Sequence, residues 1–296
     1  MKPWNQVTVV GVGLIGGSLG LALKKSGLAR RVVGVGRRQA SLDAAHRCGA
    51  ADETTLDAAA GARGSDLVVL ATPVGRFHDL AVRMAPALEP GAVVIDVGST
   101  KDQVVADLER IVPDGRTFVG CHPVAGSERR GVGSARADLF EGNLCVVTPT
   151  PRTPPHVLER VVDTWAGVGM TVRLMAPAEH DRLLAEVSHV VHIAAAALVA
   201  AISAEAEPLV GPGWTDTTRV ASGDPAMWSD ILVTNAAEIA RALKKAEGIL
   251  SQFRLALDRG DARRVEELLA AAQARRERLL QGRNGGPTLP KGNPPR

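Results

Sequence analysis

His122 stands in the run Gly120-Cys121-His122-Pro123-Val124-Ala125-Gly126-Ser127-Glu128. An imidazole titrates near neutrality, so a histidine just past a strand is placed for general-base work. A structural loop histidine reads the same on position alone. Cys121 is adjacent, but neighbouring strand residues point to opposite faces, which argues against a Cys–His nucleophilic pair. A second cluster, Ser188, His189 and His192, sits in an apolar helical stretch. Ser188 and His192 are spaced i, i+4 and His189 and His192 i, i+3, so they share a face. Three readings stay open there. A metal site lacks the glutamate of a His-Glu-x-x-His pattern, and no metal is expected. Core histidines would need satisfied partners. The third reading is a substrate-facing pair. Arg219 lies shortly before Asp224-Pro225; a guanidinium can hold a carboxylate bidentately, although most arginines simply face solvent.

The element that must position such groups is visible at the N-terminus. Residues 7–10 (Val-Thr-Val-Val) form a short β-branched run suited to a buried parallel strand. Gly11-Val12-Gly13-Leu14-Ile15-Gly16 follows. Gly11 permits a tight turn, Gly13 leaves the backbone open to a pyrophosphate, and Gly16 lets helix and strand pack closely. Leu14 and Ile15 open a helix whose free N–H groups and dipole suit a phosphate. Ile15, Leu19, Ala22 and Leu23 share its apolar face. Flanked by strand and amphipathic helix, the glycines mark a dinucleotide site rather than an ordinary turn.

The second strand ends in Gly36-Arg37-Arg38. A site for NAD usually carries an acid here for the ribose hydroxyls. Its absence removes repulsion of a 2′-phosphate, and Arg37 and Arg38 can bind one. NADP is therefore the favoured cofactor, with NAD as the alternative.

Composition narrows the classes. With 296 residues, 45% hydrophobic and 23% charged, the chain can build two globular domains. Net charge is +3, and arginines near the C-terminus alternate with glutamates, giving a solvated helix face and no nucleic-acid partner. Three scattered cysteines and no leader segment fit a reduced, cytoplasmic protein. The apolar residues 190–202 are too few for a bilayer and are expected as a buried helix. The chain has no tyrosine, which excludes the Tyr-x-x-x-Lys acid of short-chain dehydrogenases.

Strand and helix patterns alternate through residue 175, with strands expected at 7–10, 31–35, 66–71, 92–97, 117–121 and 143–148. This is βαβ logic, hence a Rossmann-type doubly wound parallel sheet. Ligands bind at the carboxyl ends of such strands, which singles out Gly11, Thr72 with Pro73, Ser99 and His122. Residues 176–281 read as all-helical. Pro177 is placed at a first helical position, Asp224 and Asp261 cap helices, and Gly282 ends the last one. Residues 282–296 read as a disordered tail.

Taken together, Gly11 to Leu19, Asp96-Val97-Gly98-Ser99-Thr100-Lys101, His122 to Glu128, Ser188-His189-Val190-Val191-His192 and the run from Asp216 to Trp228 resemble the prephenate/arogenate dehydrogenase family, over residues 7 to about 280. The resemblance implies a Rossmann domain followed by a helical dimerisation domain, hence a homodimer. It implies oxidative decarboxylation of prephenate, with arogenate as the alternative substrate. By motif, His122 would take the ring hydroxyl proton and Ser99 would orient it. Ser188, His189 and His192 would line the pocket, Arg219 would hold a carboxylate, and Ser127 and Glu128 would sit at its mouth. More remote rivals are another Rossmann-plus-helical reductase and a non-catalytic NADP sensor.

Overall fold

A computed structural model describes residues 2–126 and 129–284. Its strands are β1 (Val7–Val10), β2 (Val32–Val35), β3 (Glu53–Thr55), β4 (Leu67–Leu70), β5 (Val93–Asp96), β6 (Thr117–Val124), β7 (Leu144–Thr148) and β8 (Thr171–Leu174). The helices are α1 (Leu14–Lys25), α2 (Gln39–Arg47), α3 (Ala58–Ala62), α4 (Phe77–Met84), α5 (Asp102–Ile111), α6 (Pro155–Gly167), α7 (Pro177–Leu184), α8 (Val190–Ala201), α9 (Pro212–Thr218), α10 (Pro225–Thr234), α11 (Ala236–Asp258) and α12 (Ala262–Asn284). The contact pattern divides the chain into residues 1–240 and 241–296. The helices from α7 to α10 thus belong to the same unit as the sheet.

The strands form one sheet in the order β3-β2-β1-β4-β5-β6-β7-β8. Alternate residues of β1 feed opposite cores. Val7 and Val9 join Leu19, Leu23, Val161 and Trp165 on one face, while Val10 joins Phe77, Met84 and Leu108 on the other. The order reverses between β1 and β4, so the turns after these two strands flank the crevice where ligands bind in such sheets.

Several sequence expectations need correction. The sheet is not wholly parallel, because β7 runs antiparallel to β6. Between them the described chain holds only a single 3-10 turn, Val132–Ser134, and no crossover helix to reverse direction. The pairing Val124↔Leu144 also carries β6 past residue 121, so His122 lies inside a strand rather than after it. The strands β3 and β8 lack an apolar run and do not stand out in the sequence; both are edge strands with no fully buried residue.

The stretch 190–202 is not a buried helix. Of α8 only Val190, His192 and Ala195 are buried. α7, a π-helical turn Ala185–His189 and α8 run on as 25 residues, long and apolar enough to cross a membrane by length and composition, a test that core helices of soluble proteins also pass. Its buried His180, Asp181 and His189 are bonded to other parts of the protein.

Capping follows the sequence closely. Pro177 stands at the start of α7, and the Asp224 carboxylate accepts the Ala226 and Met227 N–H groups. In the second unit Gly260 (φ +62°) separates α11 from α12, and Asp261 accepts the Arg264 N–H at 3.0 Å. α12 continues to Asn284, two residues beyond Gly282, so that glycine does not end it. The rest of the proposed tail lies outside the described residues.

Candidate active site

The glycine turn after β1 is shaped by backbone crowding. A Cβ on Gly11 (φ +109°) would lie 2.5 Å from the Ala71 carbonyl oxygen, and one on Gly16 would lie 2.0 Å from that of Gly11. A Cβ on Gly13 would meet nothing within 4 Å. Gly13 is also the N-cap residue of α1, and no side chain caps the helix. The turn therefore leaves open space and free N–H groups where an anion can approach. Half-buried Leu14 and Ile15 begin the helix. Thr72 and Pro73 follow β4 on the other side of the crevice, the Thr72 hydroxyl donating to the Pro73 carbonyl at 3.4 Å. At the end of β2, the Gly36 N–H bonds the Thr55 carbonyl at 3.3 Å, and the side chains of Arg37 and Arg38 are exposed.

A chain of buried groups backs His122. Its Nδ1 lies 2.8 Å from His180 Nε2, and His180 Nδ1 lies 2.7 Å from Asp181 Oδ1. Asp181 also accepts the Lys101 and Asp102 N–H groups, at 2.8 and 2.9 Å, on its two oxygens. The start of α5 is thus capped by a residue about 80 positions away in the chain.

These contacts fix the tautomers. The Asp181 carboxylate is an acceptor, so His180 Nδ1 donates to it. With that proton on Nδ1, His180 Nε2 serves as the acceptor, so His122 Nδ1 donates and the lone pair of His122 stays on Nε2. Burial, then His180 and the Lys101 charge, hold the His122 imidazolium well below the usual histidine range. The ring is a neutral base at neutral pH.

Beside this chain lies a fully buried ion pair between Asp96 and Lys101. Asp96 also accepts the Gly98 N–H at 2.8 Å and the Cys121 N–H at 2.9 Å. One carboxylate therefore ties the turn that carries Ser99 to the strand residue preceding His122. Ser99 itself is half-buried, and among the described residues it makes no hydrogen bond to His122. Burial pushes the Cys121 thiol far up, which leaves it a poor nucleophile and agrees with its place in the opposite core.

His189 and His192 face α10. The His192 ring stacks on Trp228, with centroids 3.6 Å apart and planes 10° apart, and His189 meets the same ring edge-on. Asn235 Nδ2 donates to the Asp181 carbonyl at 2.8 Å and lies 3.2 Å from His189 Nδ1. Burial lowers the His189 pKa to about 4 and also lowers that of His192. His189 Nε2 and His192 Nδ1 are buried and have no hydrogen-bond partner among the described residues. Two orphaned imidazole nitrogens on one helix face are ready to meet a polar ligand.

Ser188 is half-buried in the π-helical turn. Arg219 is exposed in the 3-10 turn Arg219–Ser222, which packs on α8. Arg130 pairs with Asp224 at 2.8 Å. Ser127 and Glu128 lie outside the described residues. Among the described residues no three His, Cys, Asp or Glu groups converge as metal ligands.

Sequence reasoning missed His180, Asp181, Asp96, Lys101, Trp228 and Asn235. Asp96 and Lys101 stood at the two ends of a motif already noted. His180-Asp181 was visible only as an adjacent titratable pair in the first turns of a helix.

Comparison with known proteins agrees with this layout. Residues 19–174 match the family model for the prephenate dehydrogenase nucleotide-binding domain, and residues 176–271 that for the prephenate dehydrogenase dimerization domain. The chain is 32% identical to prephenate dehydrogenase of Bacillus subtilis, over 93% of this chain and 76% of that one. It is 30% identical to cyclohexadienyl dehydrogenase of Zymomonas mobilis, over 87% and 90%. A crystal structure of prephenate dehydrogenase from A. aeolicus, in complex with hydroxyphenyl propionate and NAD+, superposes with a TM-score of 0.86 at 33% identity, covering 93% of this chain and 98% of that one. With both domain models matched in order over most of its length, the chain belongs to the prephenate dehydrogenase family, whose members are nicotinamide-dependent oxidoreductases.

Proposed function

We propose that this enzyme oxidatively decarboxylates prephenate to 4-hydroxyphenylpyruvate, with NADP as the preferred cofactor. The observation that carries the reading is the buried chain Asp181–His180–His122, which leaves a neutral imidazole with a lone pair able to take a hydroxyl proton. Family membership and the glycine turn supply the rest of the argument.

The cofactor fits the residues present. Gly11, Gly13 and Gly16 with the N–H groups of Leu14 and Ile15 would hold its pyrophosphate, Thr72 and Pro73 would flank it, and Arg37 and Arg38 would bind a 2′-phosphate. A bound nicotinamide would supply the acceptor for a hydride from C4 of the substrate ring.

His122 Nε2 takes the proton of the C4 hydroxyl, and Ser99 orients that hydroxyl. The carboxylate at C1 leaves as carbon dioxide, and its bonding electrons make the ring aromatic. Prephenate dianion and an oxidised nicotinamide give a monoanionic product, carbon dioxide and a reduced nicotinamide, so no net proton is released. His122 therefore returns its proton to the phenolic oxygen. Burial keeps the base neutral between turnovers, and the Asp181–His180 pair steadies the transient imidazolium. Arg219 holds a substrate carboxylate. Ser188, His189 and His192 line the pocket, and Ser127 and Glu128 stand at its mouth.

The helical part, residues 176–281, acts as the substrate and dimerisation domain of a cytoplasmic homodimer. The exposed Leu250, Leu257 and Leu279 of α11 and α12 support a buried interface in the assembled enzyme. The test follows nicotinamide reduction with prephenate and arogenate in turn, each with NADP+ and NAD+. The highest kcat/KM is expected for prephenate with NADP+. A preference for arogenate would reassign the substrate, and a preference for NAD+ would remove the assigned role of Arg37 and Arg38.

A further inference from the structure

One helix touches several separate parts of the site. α10 carries Trp228, stacked on His192. Its Asp230 carboxylate accepts the Gly75 N–H at 3.3 Å, in the turn that follows Thr72 and Pro73. Its Thr234 hydroxyl lies 3.0 Å from that of Thr100, next to Ser99. Asn235, which follows it, binds the Asp181 carbonyl and contacts His189. At its N-terminus, the capping residue Asp224 pairs with Arg130.

Asp230 fills the space beside Gly75 at the surface of the molecule. A Cβ on Gly75 would lie 2.8 Å from Asp230 Oδ2. The same loop presses on the glycine turn, where a Cβ on Gly11 would lie 2.9 Å from the Thr72 N atom.

We propose that Asp230 is a positioning residue through which α10 couples nucleotide binding to the substrate wall. Nucleotide seated on the Gly11 turn fixes the loop at residues 71–75. Asp230 then holds α10, and α10 sets Trp228 against His192 and Asn235 against the Asp181–His189 pair. The substrate wall is thus completed by the nucleotide. This rests on the site assignment above, but its first test needs no turnover.

Hydrogen exchange of the full-length protein is measured with and without saturating NADP+. In the wild type, NADP+ alone is expected to slow exchange across residues 225–234 by about fivefold or more, the low end of ordinary coupling between sites. In Asp230→Ala at saturating NADP+ that protection is lost, while amides of the glycine turn stay protected. Asp230→Asn, which keeps an acceptor oxygen, restores it. A wild-type α10 indifferent to nucleotide, or equal protection in Asp230→Ala, overturns the proposal.

A second readout uses 3-(4-hydroxyphenyl)propionate as the probe. Its Kd is expected to fall about fivefold when NADP+ is present, and this ratio should approach one in Asp230→Ala. An unchanged ratio in the variant overturns the proposal. If the prephenate assignment is wrong, the activity assay fails while the exchange result still decides the coupling.

Discussion

In the nucleotide half of this enzyme the geometry is made by backbone; in the base half it is made by side chains. The turn at Gly11, Gly13 and Gly16 draws its shape from a few consecutive residues and from what a Cβ would strike. The proposed base, His122, is set by Asp96, Lys101, His180, Asp181 and Asn235, which come from β5, the start of α5, α7 and the end of α10. A backbone site tolerates variation in most side chains around it. A site made of buried charges fails when one partner is removed.

The sharpest way to break that contrast is Asp96→Asn. It leaves Lys101 buried without its counter-charge, a loss of about 3–5 kcal/mol for a broken buried pair. Thermal unfolding should show a large fall in Tm, and Asp96→Asn/Lys101→Met should recover much of it. Recovery of Tm without recovery of kcat would show that the pair also holds Ser99 and His122 in register.

Asp181→Asn comes next. The amide can turn its NH2 toward His180, which then offers the wrong tautomer to His122, and kcat should fall about a hundredfold or more with KM little changed. A rise in KM alone would place Asp181 outside the base chain.

In the nucleotide half, Arg37→Ser/Arg38→Ser should raise KM for NADP+ about tenfold to a hundredfold, the loss of charge-assisted bonds to a phosphate. KM for NAD+ should hardly move, because the backbone turn is untouched. Equal effects on both nucleotides would contradict the 2′-phosphate assignment.

The smallest effect is on stability against pH. Burial lowers His189 to about 4, whereas the unfolded side chain titrates near about 6.5. As pH falls below about 6.5 the unfolded state takes up the proton first, so stability falls with pH in this window. His122, lowered by the same cause, adds to the loss. From pH 7 to pH 5.5 the His189 contribution is about 1 kcal/mol, readable as a lower denaturation midpoint. His189→Gln should flatten part of that slope.

The same contrast explains what could be read in the sequence. β1, the three glycines and α1 are local, so each glycine's part followed from spacing. The strands β2, β4 and β5 followed from their apolar runs. The caps at Pro177, Asp224 and Asp261 are one-residue signals. β3 and β8 had no such run, and the antiparallel course of β7 goes with the lack of a crossover helix among the described residues between β6 and β7, not with any single residue. His122 stood out by chemistry, but His180 and Asp181 lie about 60 positions away, and nothing local ties them to it. Trp228 and Asn235 gain their meaning only from the packing of α10 on α8 and α7. The apolar stretch in α8 reads as core because hydropathy alone does not say which side of a helix the fold leaves exposed.

The most direct test of the central claim follows nicotinamide reduction and carbon dioxide release together, with prephenate and NADP+, for the wild type and His122→Asn. The wild type should release one carbon dioxide for each nicotinamide reduced. His122→Asn should bind both ligands with unchanged affinity and turn over about a hundredfold to ten-thousandfold more slowly, as expected on loss of a general base. Near-native turnover by His122→Asn, or reduction without carbon dioxide in the wild type, would contradict the account.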